Sequence, residues 1–412
     1  MKYHKLLQTL VQQEGCVDID HYNELLGEII CLTENSKVKD KYLVIHLMND
    51  SIYNQKLINR IKENSVNSNR EHIYLFVESE LKYVKHESNF IFYSNLKDAL
   101  NYLIKADIIL VQFLFPFYID LLLNSAIHAD MFWMPWAGDY VGYSEIQLID
   151  PRELRLLGKR GINLDLKPNR HPKMKAFLDR LNLIICGSAV YQFIKDIFPT
   201  TTLRHMNHYF HQDVVEIENQ KVNEQERETL EKYANTINKS LIKIILGNSG
   251  DLTNNYLMAI EFLAQSPLSD QLHITLMSSY GKSDNYDLLV KSQLKQYFPN
   301  RSTVFEDFLS PNAFIEFAAH HDAVFMFHNR PQGLGAISIY LALGMPVYMW
   351  PHNLCFGYLK SLRASVKGLH QLKTPSELKE IPTKNKEFGS LNVHLLREEI
   401  TYSDNRLMSI LS

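Results

Sequence analysis

The stretch Ile244-Ile-Leu-Gly-Asn-Ser-Gly-Asp251 places a short apolar strand directly before a loop of glycine, asparagine and serine. A helical pattern follows at Asn255–Ala264. Glycines permit tight turns and a close backbone approach, and the free N–H groups at a helix start attract phosphate. The stretch therefore predicts a strand–loop–helix unit with a candidate phosphate site, although an ordinary turn between a strand and a helix has the same composition.

The same alternation continues on both sides of this stretch. Apolar, β-branched runs that alternate with helical patterns predict parallel sheets covered on both faces. The expected fold class is therefore α/β, with two Rossmann-like doubly wound domains facing a central cleft. The predicted strands include Lys41–Met48, Ile73–Val77, Ile108–Phe113, Met131–Trp136, Leu183–Cys186, Leu241–Leu246, His273–Met277, Ala323–Phe327 and Pro346–Trp350.

Four segments are predicted along the chain. A linker is indicated at 214–240, which is rich in Glu, Asn and Gln and shows some helical pattern in its middle. Residues 1–40 form an N-terminal helical extension, and residues 41–213 form the first Rossmann-like domain, expected to hold the acceptor. Residues 241–412 form the second domain, whose last residues are expected to pack back on the first.

Composition narrows the classes of function. The 412 residues carry a formal net charge of -3, which excludes a globally basic nucleic-acid binder. Four scattered cysteines without a C-x-x-C pair predict a reducing compartment, with neither a disulfide framework nor a zinc site. No signal peptide and no apolar run of transmembrane length are visible, so a cytoplasmic location is expected.

A second glycine loop in the same predicted domain adds to the evidence for a phosphate site. In Phe325-Met-Phe-His-Asn-Arg-Pro-Gln-Gly-Leu-Gly-Ala-Ile-Ser338, a strand again leads through glycines into a helix. The fixed charge of Arg330 suits a diphosphate, although a surface ion pair would also explain it. A third loop follows the strand that ends at Met277. Its Tyr280 could stack on a base or a sugar, and its Lys282 either binds phosphate or is a solvated loop residue. The predicted nucleotide-sugar-binding residues are Gly247, Asn248, Ser249, Gly250, Asp251, Tyr280, Arg330, Gln332, Gly333, Gly335 and Ala336.

In the first half, two of the three tryptophans, Trp133 and Trp136, lie just before Asp139. Aromatic faces beside a carboxylate suit a sugar ring and a catalytic base, whereas core packing with a turn Asp explains the same residues. We expect Asp139 to be catalytic and both tryptophans to bind the acceptor. His46, placed at the end of the first strand, is a further acceptor candidate, although a lone His there is commonly structural.

One further candidate for ligand binding is a basic run, whereas motifs for metal binding are not seen. The segment 152–180 carries nine Lys/Arg against three acidic residues. It is suited to a lipid diphosphate or an anionic membrane surface, and a solvated loop is the alternative. No DxD-like pair or cluster of metal ligands stands out, so neither a metal nor a cofactor is expected.

The loops resemble glycosyltransferase family 56, the TDP-N-acetylfucosamine:lipid II N-acetylfucosaminyltransferases. The resembling residues are Gly247–Asp251 with Asn254 and Asn255, Tyr280-Gly281 with Asn285, Gln332–Gly335, Gly344–Pro346, Trp136–Asp139 and Ile45-His46. The resemblance covers roughly residues 41–360 and is densest from 243 to 357. Residues 1–40 have no counterpart in it. Where retaining relatives carry two glutamates eight apart, this chain has Gln332 and Tyr340, so the stereochemistry stays open.

The resemblance implies a GT-B fold, a TDP- or UDP-sugar and a polyprenyl-diphosphate-linked acceptor. It also implies a peripheral position at the inner face of the cytoplasmic membrane and a role in surface polysaccharide synthesis. Two alternatives keep the fold. A sugar-nucleotide epimerase would convert its substrate without an acceptor, and a sugar-binding protein would bind free sugar without preference for nucleotides.

Overall fold

A computed structural model describes residues 41–65, 68–77, 80–92, 96–143, 148–161, 171–208, 222–238, 240–281, 284–351, 353–361, 364, 366–369, 375 and 378–411. The predicted N-terminal extension at 1–40 lies outside these residues, as does Lys282. Within the described part of the chain, no helix is long and apolar enough to cross a membrane.

Seven strands form the first sheet, in the order β3-β2-β1-β4-β5-β6-β7. β1 and β2 pair in parallel from Tyr42 opposite Arg70 to Met48 opposite Phe76. The strands are β1 Tyr42–Met48, β2 Arg70–Phe76, β3 Phe90–Phe92, β4 Ile108–Val111, β5 Asp130–Trp133, β6 Leu183–Cys186 and β7 His205–Asn207. The helices among them are α1 Ile52–Asn64, α2 Leu96–Leu103, α3 Pro116–Leu122, α4 Ala137–Tyr140, α5 Pro151–Gly158, α6 Met174–Arg180 and α7 Ser188–Ile197.

The second sheet has six parallel strands in the order β10-β9-β8-β11-β12-β13. Its strands are β8 Ile242–Leu246, β9 Leu272–Met277, β10 Ser302–Phe305, β11 Ala323–Met326, β12 Val347–Met349 and β13 Val366–Gly368. The helices after β7 are α8 Glu224–Thr236, α9 Tyr256–Ala264, α10 Asp284–Tyr297, α11 Pro311–Ala319, α12 Leu334–Ala342, α13 Leu354–Ser361 and α14 Lys386–Leu411. Parallel strands alternating with helices confirm the predicted α/β fold class.

Helices cover both faces of this second sheet. Successive side chains of a strand point to opposite faces, and β8 follows that rule. Ile244 and Leu246 pack in one core together with α9. Ile245 packs in a second core together with α12. The end of β8 is therefore buried on both sides, which explains its continuous apolar sequence at Ile244–Leu246.

Contacts within the chain define two compact units. The first contains the described residues up to Leu110, with Ser125–Asp130 and residues 405–411. The second contains Val111–Asn124 and Met131–Asp404, and thus the whole second sheet. Helix α5 lies in the second unit and packs against α9. The basic run at 152–180, for which a solvated loop was one of two interpretations, includes two helices, α5 and α6.

Helix α8 lies in the segment predicted as a linker. Asn223 and Glu226 form a reciprocal capping box at its start. Leu230 and Tyr233 are buried in the core that also contains α12. The helix therefore packs in the second unit, whereas residues 209–221 lie outside the described part.

Candidate functional site

Three loops meet at the carboxyl edge of the second sheet. β9, β8 and β11 are neighbours and parallel, so the loops after them emerge side by side. The N–H of Gly250 donates to the carbonyl of Tyr280 at 2.7 Å. The Asn248 side chain donates to the Tyr280 hydroxyl at 3.2 Å. The predicted nucleotide-sugar residues are thus brought to one edge, as the two glycine loops indicated.

Two of the glycines are required by the backbone. Gly247 has a φ of +69°, and a Cβ there would lie 2.3 Å from the Tyr256 hydroxyl oxygen. Gly333 has a φ of +67°, and its Cβ would lie 3.0 Å from the Asn248 side chain. Side chains rarely adopt such a φ, and here there is also no room for them. These glycines allow the loops to lie against each other.

Arg330 is held by a polar network at this edge. Its guanidinium lies 3.2 Å from the Asp251 carboxylate, and its Nε donates to Gln332 Oε1. The Thr253 hydroxyl lies within hydrogen-bond distance of both Asp251 Oδ1 and Gln332 Oε1. Gln332 Nε2 is buried and has no partner among the described residues. The ion pair considered from the sequence is therefore present, between Arg330 and Asp251, and it fixes the position of the guanidinium.

The polar groups of the first glycine loop form more hydrogen bonds within the loop region than the sequence suggested. Ser249 was expected to offer its hydroxyl to a phosphate, but it is only 1% exposed. The Asn254 side-chain amide donates to the Ser249 carbonyl at 3.0 Å and to its hydroxyl at 3.2 Å. The backbone N–H of Asn248 donates to the side-chain oxygen Oδ1 of Asn254 at 3.3 Å. Ser249 therefore stabilises the loop and is not open to a ligand.

The helix after that loop is already capped, which corrects a second expectation. Glu153 is completely buried and accepts from the N–H of Leu257 at 3.2 Å and of Met258 at 2.7 Å. The Tyr286 hydroxyl donates to the same carboxylate at 2.6 Å. Burial raises the pKa of Glu153 to about 7, and these hydrogen bonds oppose the rise. The start of α9 is therefore not available to a phosphate, because a carboxylate of the chain occupies it.

The start of α12 is different. Its N-cap is Gly333, and no side chain in the described part of the chain caps it. No acidic residue lies in its first turn, and Leu334, Gly335 and Ala336 are half-buried. Arg330 lies three residues before the cap. A helix start with uncapped N–H groups beside a cation favours an anion.

A buried pair that the sequence did not single out supports this loop. His328 is completely buried, and the Asn353 side-chain amide lies 2.5 Å from its Nδ1. The same amide donates to the His328 carbonyl at 3.1 Å. Burial lowers the pKa of His328 to about 4, so the ring is neutral. The pair fixes the chain between β11 and α12. In the sequence, the position of His328 just before the glycines is the only signal of this role.

Asp139 lies in the first turn of α4. Its Oδ2 accepts from the backbone N–H of Trp136 at 3.0 Å and from the Trp133 indole at 3.3 Å. Burial raises its pKa to about 7, which these hydrogen bonds oppose. A carboxyl with a pKa near neutrality can exchange a proton under working conditions. Asp139 therefore takes the turn role considered from the sequence, and its raised pKa suits the base role, which stays a prediction.

The aromatic candidates differ in exposure. Trp133 is completely buried and packs edge-on against Phe177 with ring centroids 5.8 Å apart. Its ring is therefore not available to a sugar, contrary to expectation, and its contribution is the hydrogen bond to Asp139. Trp136 is half-buried. Tyr280 is 51% exposed, so its ring remains open to stacking.

His46 does not lie at a strand end, because β1 continues to Met48. It is completely buried, with its Nε2 2.9 Å from His72 Nδ1 and its ring 4.6 Å from that of Tyr74. Burial, with His72 as a lesser cause, lowers its pKa well below the usual value. In this structure it is a neutral core residue, the alternative that the sequence left open, and not an exposed acceptor ligand.

Comparison with known proteins bears on the same half of the chain. Residues 195–368 match the family described as 4-alpha-L-fucosyltransferase, glycosyl transferase group 56. The matched segment contains all three loops of the sheet edge and the start of α12. This agrees with the resemblance seen in the sequence. No curated protein matches the chain significantly.

Solved structures share the fold at low identity. Sucrose-phosphate synthase from Thermosynechococcus elongatus superposes with a TM-score of 0.59 and 10% identity, over 90% of this chain and 98% of its own. HepE from Anabaena in complex with UDP gives 0.57 and 10%, over 90% and 99%. Trehalose 6-phosphate synthase from Burkholderia multivorans gives 0.56 and 8%, over 90% and 96%. The chain thus has the GT-B fold and, with residues 195–368 matching glycosyl transferase group 56, is a glycosyltransferase.

Proposed function

We propose that the chain transfers a deoxy or acetamido sugar from a nucleoside-diphosphate donor, TDP-linked by preference, to a lipid-linked acceptor. The acceptor is a glycan on a polyprenyl diphosphate, met at the inner face of the cytoplasmic membrane during bacterial surface polysaccharide synthesis. The TDP-sugar and the lipid carrier rest on the resemblance to family 56. A nucleoside-diphosphate donor is also supported by HepE, which shares the fold and was solved with UDP.

The observation that carries the proposal is the uncapped start of α12 beside Arg330. Transfer of the sugar leaves a nucleoside diphosphate with added negative charge. Backbone N–H groups and a fixed guanidinium stabilise such charge without a metal. The start of α9 cannot do so, since Glu153 occupies it. The diphosphate is therefore assigned to α12, with Gly333, Gly335 and Ala336 around it.

Other residues take supporting roles in the proposal. Tyr280 offers an exposed ring that suits the base or the sugar. Asp251 holds Arg330 until the diphosphate arrives. Asp139 is the base that deprotonates the acceptor hydroxyl if the reaction inverts, a role that its pKa of about 7 suits.

A thermal-shift series with TDP-, UDP- and GDP-sugars tests the donor site. A ligand at a hundredfold excess over its Kd stabilises by about 2.7 kcal/mol, so the preferred nucleotide stands out. Arg330→Gln should weaken its binding by about 10- to 100-fold, because a charge-assisted bond is lost. The matched control is Arg227→Gln, which removes an exposed arginine on α8. Equal binding by both variants would remove Arg330 from the site.

The same protein separates transfer from epimerisation. Incubation of the preferred nucleotide sugar alone and with a lipid-linked acceptor, followed by product analysis, gives the answer. Transfer releases nucleoside diphosphate only when the acceptor is present. A new nucleotide sugar formed without acceptor would instead identify an epimerase.

A further inference from the structure

Helix α5 has two faces of different character. Glu153 and Leu157 are buried against α9 and its core. Arg152, Arg155 and Lys159 follow each other at spacings of three and four residues. Residues at this spacing lie on one side of a helix. The helix therefore presents a stripe of three cations while its other face is anchored in the protein.

A pocket of about 380 Å³ adjoins this stripe. Its other walls include Met258, Glu261 and Phe262 on α9, Gln265 directly after that helix, and Trp350 after β12. All of these residues lie in the second compact unit. The pocket thus combines one charged wall with apolar and aromatic walls, a composition common to sites for small anionic molecules.

The charges in this pocket do not cancel. Arg152 forms two hydrogen bonds of 3.0 Å with Asp150, and its guanidinium lies 5.6 Å from the Trp350 ring centroid. Arg155 and Lys159 have no acidic partner within 4.0 Å in the part of the chain that the structure describes. Glu261 is the one carboxylate among the lining residues. Three cations against Glu261 and the paired Asp150 leave an excess of positive charge.

Trp350 adds an unused hydrogen-bond donor. The residue is half-buried, and its ring meets Phe327 edge-on at 6.0 Å. Its buried indole N–H finds no acceptor among the described residues. An unsatisfied buried donor in a native protein requires an explanation.

The pocket is separate from the site proposed for the nucleotide sugar. Its lining residues Met258, Phe262 and Trp350 pack with the core of Phe325 and Phe327, on the face of the second sheet that α9 covers. Helix α12 belongs to the core of Val324 and Met326, on the other face. Since alternate residues of β11 divide between these cores, the pocket and helix α12 belong to opposite faces of the sheet.

We propose that this pocket binds a phosphate group, contributed either by a lipid headgroup or by a soluble phosphate compound. Arg155 and Lys159 supply the attraction, and Arg152, fixed by Asp150 and Trp350, supplies an oriented guanidinium. The proposal does not depend on sugar transfer, because none of these residues belongs to the site proposed for the nucleotide sugar or is the proposed base. Failure of the transferase assignment would therefore leave it standing, and its own test requires no turnover.

The test compares the full-length protein with the double variant R155Q/K159Q in two arms. In the first, inorganic phosphate and pyrophosphate are titrated and binding is followed by calorimetry. In the second, the protein is sedimented with phosphatidylcholine vesicles with and without phosphatidylglycerol. The control, R227Q/K295Q, removes one exposed arginine and one exposed lysine from α8 and α10. The charge-keeping pair R155K/K159R tests whether a loss reflects charge and not misfolding.

The wild type, the control and the charge-keeping pair should bind in at least one arm, and R155Q/K159Q about tenfold or more weakly. Binding should fall as salt rises. A response to soluble phosphate alone identifies a soluble ligand, and a response confined to anionic vesicles identifies a headgroup. The proposal is wrong if R155Q/K159Q binds as the control does in both arms, or if the wild type binds in neither.

Discussion

At the scale of single residues, Asp139 is the side chain whose surroundings most restrict its chemistry. It is 7% exposed, and burial raises its pKa from 3.8 to about 7. The protonated form stabilises the fold fully below pH 3.8, and that contribution is lost as the pH rises through about 7. Its charged form is thus costly for folding and useful for removing a proton.

Asp139→Asn should lower kcat by about 10²- to 10⁴-fold if Asp139 is the base, since a general base contributes that much. In the wild type, kcat should rise with pH through an apparent pKa near 7. Nucleotide-sugar affinity, measured by calorimetry, should stay unchanged. Turnover close to that of the wild type would remove Asp139 from the catalytic role.

A stability measurement accompanies that experiment. Because Asn has no charged form, the variant should lose less thermal stability between pH 5 and pH 8 than the wild type does. It should be at least as stable as the wild type at pH 8. A large loss of stability at both pH values would show that the fall in kcat reflects folding.

Among single residues, sequence patterns predicted the glycine positions but not the exposure of side chains. The glycines were correctly located because φ above zero and close backbone approach leave a direct mark on residue choice, as at Gly247 and Gly333. Exposure leaves no such mark. Trp133 and His46 have the residue types of a sugar site, yet both are completely buried. Whether a side chain at the end of a strand faces solvent depends on packing contacts distant in sequence.

At the scale of elements, two helix starts that look alike in sequence differ in capping. Both α9 and α12 follow a glycine loop. Glu153, about a hundred residues earlier in the chain, caps the first of them, while the second begins without a side-chain cap. The helix that carries Glu153 is itself marked by Asp150-Pro151, an N-cap followed by proline. Its docking partner could not be read from the sequence.

Glu153→Ala should lower the melting temperature clearly. It leaves the N–H groups of Leu257 and Met258 without an acceptor, at a cost of about 1–3 kcal/mol for each buried group. Differential scanning calorimetry at pH 7 measures the loss, with Glu228→Ala on the exposed side of α8 as the control. Equal melting temperatures for the two variants would contradict the capping role.

At the scale of the whole molecule, alternating strands and helices were enough to predict two parallel sheets. The order of the strands was not predicted, because periodicity reports burial and not neighbours. The three-residue strands β3, β7 and β13 were missed, whereas β12, which is equally short, was predicted. The position of the last residues depends on long-range packing, and residues 405–411 belong to the first unit.

Substitutions in α14 test that assignment. Leu407 and Leu411 are completely buried, whereas Leu391 on the same helix is 49% exposed. Each buried Leu→Ala change costs about 2–5 kcal/mol. L407A/L411A should therefore speed hydrogen exchange in β1 and β2 and leave β8 and β9 unchanged, because the lost contacts belong to the first unit. The control L391A should change neither pair of strands. Faster exchange in β8 and β9 alone would assign the end of α14 to the second unit.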